Sequence, residues 1–73
     1  MQKKLYKELW VLRFKKMLVL EEDSIRDYES ILKQCAKSKN DLLAGKLKQL
    51  IGDETRHAKL VRELIKIVNR QEE

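Results

Sequence analysis

Asp53-Glu54-Thr55-Arg56-His57 is the stretch from which the rest of the chain can be read. It lies inside an apolar pattern of helical period. Residues three apart on a helix share a face, one turn along. Glu54 and His57 therefore point the same way, as a carboxylate and an imidazole that could hold one metal ion. Around them runs the row Leu47, Leu50, Glu54, His57, Val61, Leu64, Val68, which advances by threes and fours. This is a heptad-like seam whose middle seats are polar. An acid and an imidazole at core seats are costly to bury unless they are paired or bound to metal. The pattern predicts a second helix over about 41–70, with a functional pair at its centre.

The N-terminal half carries the matching seam. Phe14, Leu18, Glu21, Ile25, Tyr28, Leu32 and Cys35 follow the same steps of four and three, which is a bundle pattern. Glu21 stands where an apolar residue belongs. Trp10, Met17 and Ile31 widen the stripe, as a helix packed on more than one neighbour requires. This predicts a first helix over about 3–36. The segment 37–41, Lys37-Ser38-Lys39-Asn40-Asp41, has no apolar residue and three capping types in Ser38, Asn40 and Asp41. A connection this short between long helices makes an antiparallel hairpin.

Spacing then ties the two seams together. At 1.5 Å per residue, Glu21 lies about 25 Å before a turn centred on Ser38, and Glu54 and His57 lie about 24–28 Å after it. The three polar seats should meet in one layer. One hairpin supplies two carboxylates and one imidazole. Two hairpins about a twofold axis supply four and two, the donor set of di-iron and di-manganese carboxylate bundles. Oxygen and nitrogen donors without thiolates suit Fe or Mn, with Zn also compatible. The expected fold is all-α: a single hairpin spanning 1–73 that dimerises into a four-helix bundle.

Size and composition agree. With 73 residues, 40% of them charged, no proline and 5% aromatic residues, the chain has the composition of long helices. So short a chain builds a small core, and self-association into a homodimer or higher even homo-oligomer is expected. Gly45 and Gly52 are seven apart and share a face; close helix approach or a tolerant surface would each explain them. The single thiol, Cys35, excludes a disulfide framework and a cysteine zinc site and suits a reducing cytoplasm. Charges at Arg13, Lys15 and Lys16 interrupt the apolar run that a signal peptide would need. No run reaches the length of a membrane span.

Charge is uneven. Six bases against Glu8 leave residues 1–20 at +5, whereas residues 21–73 hold eleven of each sign. A solvated helix face is the expectation, with no nucleic acid and no membrane as partner. Contact of this basic helix with a nucleic acid or a membrane is the weaker alternative.

The residues also resemble a family. Glu21-Glu22-Asp23-Ser24-Ile25-Arg26-Asp27-Tyr28 is similar to the first ligand helix of the rubrerythrin branch of ferritin-like proteins, in which a Glu ligand precedes Tyr by seven residues. Asp53-Glu54-Thr55-Arg56-His57-Ala58 is similar to that branch's D-E-x-x-H-A helix. The likeness covers about residues 18–68. Ferritins and rubrerythrins hold both halves of the bundle in one chain. A single hairpin more closely resembles the encapsulated ferritins, two-helix proteins that complete a di-iron site across a dimer.

That resemblance implies Glu21 and Glu54 as iron ligands, one of them bridging, and His57 as a terminal ligand. It implies Tyr28 hydrogen-bonded to a ligand carboxylate and Asp53 orienting a His57 ring, that of the partner chain. Ser24 replaces a further first-helix ligand, and Glu22 should face away. The implied activity is that of a ferroxidase: oxidation of Fe(II) by oxygen or peroxide, with Glu21, Glu54 and His57 as the catalytic set. An encapsulating shell protein, and so a protein nanocompartment, is the implied partner and setting. A metal-binding structural or iron-buffering module without turnover is the alternative.

Overall fold

The structure, a computed structural model, describes residues 2–71, with side chains from residue 6 onward. Two helices account for nearly all of them: α1 over Gln2–Ser38 and α2 over Asp41–Arg70. They pack against each other as a hairpin about 57 Å long and 14 × 11 Å across.

The turn is only Lys39 and Asn40. Lys39 takes a left-handed backbone conformation (φ 55°). The Asn40 N–H then reaches back to Cys35 O at 3.1 Å. This closes the end of α1 in the manner of a Schellman motif, at a position where glycine is the commoner choice. Ser38 Oγ donates to Gln34 O and Cys35 O, taking up further end carbonyls. Of the three capping candidates, Asn40 is the one used: its Oδ1 accepts from Leu43 N–H at 3.3 Å. At the open end of the hairpin, Lys7 Nζ donates to Asn69 O and Gln71 O, placing a cation on the C-terminal carbonyls of α2.

α1 turns its expected seam inward. Phe14, Leu18, Glu21, Ile25, Tyr28 and Leu32 are half-buried and Cys35 is buried, and Lys7 and Val11 extend the row. α2 differs from expectation in phase. Its inward row is Leu47, Ile51, Glu54, Ala58, Val61, Ile65 and Val68, whereas Leu50, His57 and Leu64 are exposed. The two rows share Leu47, Glu54, Val61 and Val68 and part at every intervening seat. Ala58, the smallest residue on the row, is 2% exposed and lets the helices close.

The rejected seats form a row of their own. Leu43, Leu50, His57 and Leu64 are seven apart and lie on one flank of α2; Trp10, Met17, Ser24 and Ile31 do the same on α1. One residue of helix turns about 100°, so Glu22 and Arg62 fall on one side of their seams, while Ser24 and His57, three residues past Glu21 and Glu54, fall about 60° to the other side. Glu22 and Arg62 pair across the hairpin at 3.3 Å, which fixes both flanks. The hairpin thus has a polar side marked by that ion pair. Its other side exposes Trp10, Met17, Ile31, Leu43, Leu50 and Leu64 around His57.

The core is thin. Cys35, Leu47, Ala58, Val61 and Val68 are the buried hydrophobic residues among those described. At roughly 1.5–3 kcal/mol for a fully buried Val or Leu, such a seam has little surplus with which to hold charged groups.

A candidate metal centre at the middle of the hairpin

Glu21 comes from the middle of α1, and Glu54 and His57 come from the middle of α2. One ligand-type atom from each lies within 4.8 Å of the other two. The juxtaposition follows from the turn length: seventeen residues of α1 past Glu21 and a two-residue connection bring α2 back to the same height. Glu21 and Glu54 are half-buried, and His57 is exposed on the apolar flank. The cluster therefore has its carboxylates inside the seam and opens, through the imidazole, onto one side.

Its electrostatics are those of two adjoining carboxyl groups with an imidazole beside them. Glu21 Oε2 is shielded from solvent, and no donor reaches it. The Glu21 carboxyl is raised above its ordinary value near 4.5. The leading cause is its hydrogen bond with Glu54, followed by burial and the Glu54 charge; His57 pulls the other way. A carboxyl set against a second carboxyl, with an oxygen that no donor reaches, forms a set that a cation would satisfy. Carboxylate oxygens and an imidazole nitrogen fit iron or manganese and accept zinc. The fit thus rests on both donor chemistry and the orphaned oxygen.

The surrounding residues sort themselves by flank. Glu22 leaves the cluster and pairs with Arg62 on the polar side. Ser24 occupies the same flank as His57 and brings no carboxylate. Asp53 is paired with Arg56 on its own helix, so within one chain its carboxylate is held by that guanidinium. Tyr28 is half-buried on the α1 seam, two turns nearer the hairpin turn than Glu21. Among the described residues, no further His, Cys, Asp or Glu joins the three. The Glu22–Arg62 pair is the contact that spacing did not reveal, because it depends on which side of each seam a charge falls.

No family model, curated protein or solved structure matches the chain.

Proposed function

We propose that the chain is one half of a di-iron carboxylate protein, and that two copies joined through their His57 sides oxidise Fe(II) with oxygen or peroxide. The observation that carries this is the convergence of Glu21, Glu54 and His57 within 4.8 Å. The resemblance to the two-helix encapsulated ferritins points to the same three residues. Support for the second copy comes from the apolar row surrounding His57 on the exposed side. A facing copy would cover that row and bring a second pair of carboxylates and a second imidazole.

Glu21 and Glu54 lie in the seam and take Fe(II), the substrate, by their carboxylates. His57 binds from the open flank, where its neutral nitrogen adds a donor without adding negative charge. Two Fe(II) give up two electrons. Dioxygen takes them with two protons to give hydrogen peroxide, or peroxide takes them with two protons to give water. A bound metal pair supplies the redox chemistry; the protein supplies the donors, their spacing and the apolar wall. Asp53 of a facing copy is the candidate for orienting the His57 ring, as metal-bound imidazoles usually require.

A second reading is favoured by the thinness of the core. A cation in the carboxylate layer would remove its repulsion and stabilise the assembly, giving a structural or iron-buffering module without turnover. Native mass spectrometry after anaerobic Fe(II) loading tests the shared site. The expected species is an even oligomer holding two irons per two chains, lost in Glu54→Ala. A metal-bearing monomer would refute the shared site. Oxygen consumption with excess Fe(II) then separates the readings, since a buffering module gives no sustained uptake.

A further inference from the structure

The first twenty residues carry a surface that neither the hairpin nor the metal cluster uses. On α1, Val11, Phe14 and Leu18 turn toward α2, while Leu12, Lys15, Lys16, Val19 and Leu20 are exposed. Val19 and Leu20 are 54% and 66% exposed, and Leu12 is 50% exposed. Lys15, Lys16, Val19 and Leu20 line an open hollow of about 420 Å³. The patch ends abruptly: the next outward residues are Asp23, Arg26, Asp27 and Ser30, all exposed and polar. Among the described residues, Arg13, Lys15 and Lys16 have no acidic side chain within ion-pair distance, whereas Arg26, Arg56 and Arg62 each have one. The segment 1–20 as a whole stands at +5.

We propose that this outer face of α1, from Leu12 to Leu20, docks the protein on an anionic phospholipid surface. Leu12, Val19 and Leu20 enter the headgroup region, and Arg13, Lys15 and Lys16 meet the lipid phosphates. The patch has the makings of a shallow interfacial contact, which combines a few buried apolar side chains with attraction between basic residues and anionic lipid. Lys15 and Lys16 line the apolar hollow beside Val19 and Leu20, and long lysine side chains cover apolar surface with their stems while keeping the charge in water. Lys15 and Val19 lie on the Glu22 side of the α1 seam, with Leu12, Lys16 and Leu20 further round the helix. The face lies outside the row that surrounds His57, so it stays open when two copies join through that row. This assigns the protein a membrane partner that the sequence offered only as the weaker alternative, and it is independent of the metal reading.

Vesicle co-sedimentation of the full chain tests it, using phosphatidylcholine alone and phosphatidylcholine with phosphatidylglycerol. Binding is expected only to the second, falling as salt rises. Lys15→Gln with Lys16→Gln should weaken it about 25-fold, from two basic residues near an anionic surface. Leu12→Ser with Val19→Ser and Leu20→Ser should abolish it at unchanged charge, with helical content by circular dichroism as the folding control. No binding, or equal binding to both vesicles, would overturn the proposal. So would retention of binding by the serine variant, which would leave a general polyanion contact; duplex DNA binding equally in that variant would show the same. A serine variant that changes the oligomer without lipid would reassign the patch to contact between copies. The glutamine variant leaves the apolar residues in place and keeps the test decisive if the serine variant misfolds.

Discussion

Glu21→Leu in the metal-free chain should stabilise the fold and abolish its response to metal. Glu21 occupies a seam seat between Leu18 and Ile25, half-buried, with Oε2 shielded and unmatched by any donor. Removing a buried acceptor without a partner relieves about 1–3 kcal/mol. A leucine at a half-buried seat adds roughly 1 kcal/mol of apolar burial. The lower end of that sum, about 2 kcal/mol, raises the melting midpoint of a chain this small by roughly 8–16 °C. The assay is thermal unfolding by circular dichroism with a chelator present, at one protein concentration, because association also shifts the midpoint. The same melts with added Mn(II) or anaerobic Fe(II) complete it. Wild type should gain stability with metal and Glu21→Leu should not. A variant that melts lower than wild type without metal would show instead that Glu21 is satisfied where it stands. A variant that keeps its metal shift would remove Glu21 from the site.

Metal-free stability should also depend on pH through this residue. The folded-state pKa of Glu21 is raised above 4.5, so the folded chain holds that proton more tightly than the unfolded chain does. The contribution is fully present below about 4.5 and is lost as pH rises through the raised value; Glu21→Gln should remove the difference, and parallel pH profiles for the two would count against it. Gly45→Ala and Gly52→Ala should each stabilise the chain by about 0.8–1 kcal/mol in urea titrations, because an added Cβ meets nothing within 4 Å at either site. Destabilisation would reveal a partner pressed against that face. Leu50→Ser, at an exposed seat beside the cluster, should leave helical content intact and shift sedimentation toward the monomer. An unchanged oligomer would place the interface elsewhere.

Much of this architecture was legible in the spacing of a few residues. Glu21, Glu54 and His57 could be set at one height from the rise of a helix and the position of a polar turn, and they lie within 4.8 Å of one another. The phase of α2 was not legible. Leu47, Glu54, Val61 and Val68 belong to both candidate rows. Seating Leu50, His57 and Leu64 rather than Ile51, Ala58 and Ile65 keeps Glu54 and His57 in one row, whereas the hairpin buries Ala58 and leaves His57 exposed. A stripe wide enough for two neighbours does not say which neighbour is nearer. The cap was ambiguous for a similar reason: Ser38, Asn40 and Asp41 can all accept an N–H, and the choice fell to the residue that follows the left-handed Lys39. The Glu22–Arg62 pair needed both phases before it could be seen.

The clasp formed by Lys7 has a consequence for how the hairpin breathes. Two-helix hairpins ordinarily open like tweezers, from the free end toward the turn. Here the free end is held by the Lys7 ammonium on the Asn69 and Gln71 carbonyls, and the other end is closed by the Asn40 cap. The least cohesive stretch is then the waist, where the carboxyls of Glu21 and Glu54 face each other. Slow amide exchange should persist near Cys35 and Val68 while the segments around Glu21 and Glu54 exchange first, until a cation closes the waist.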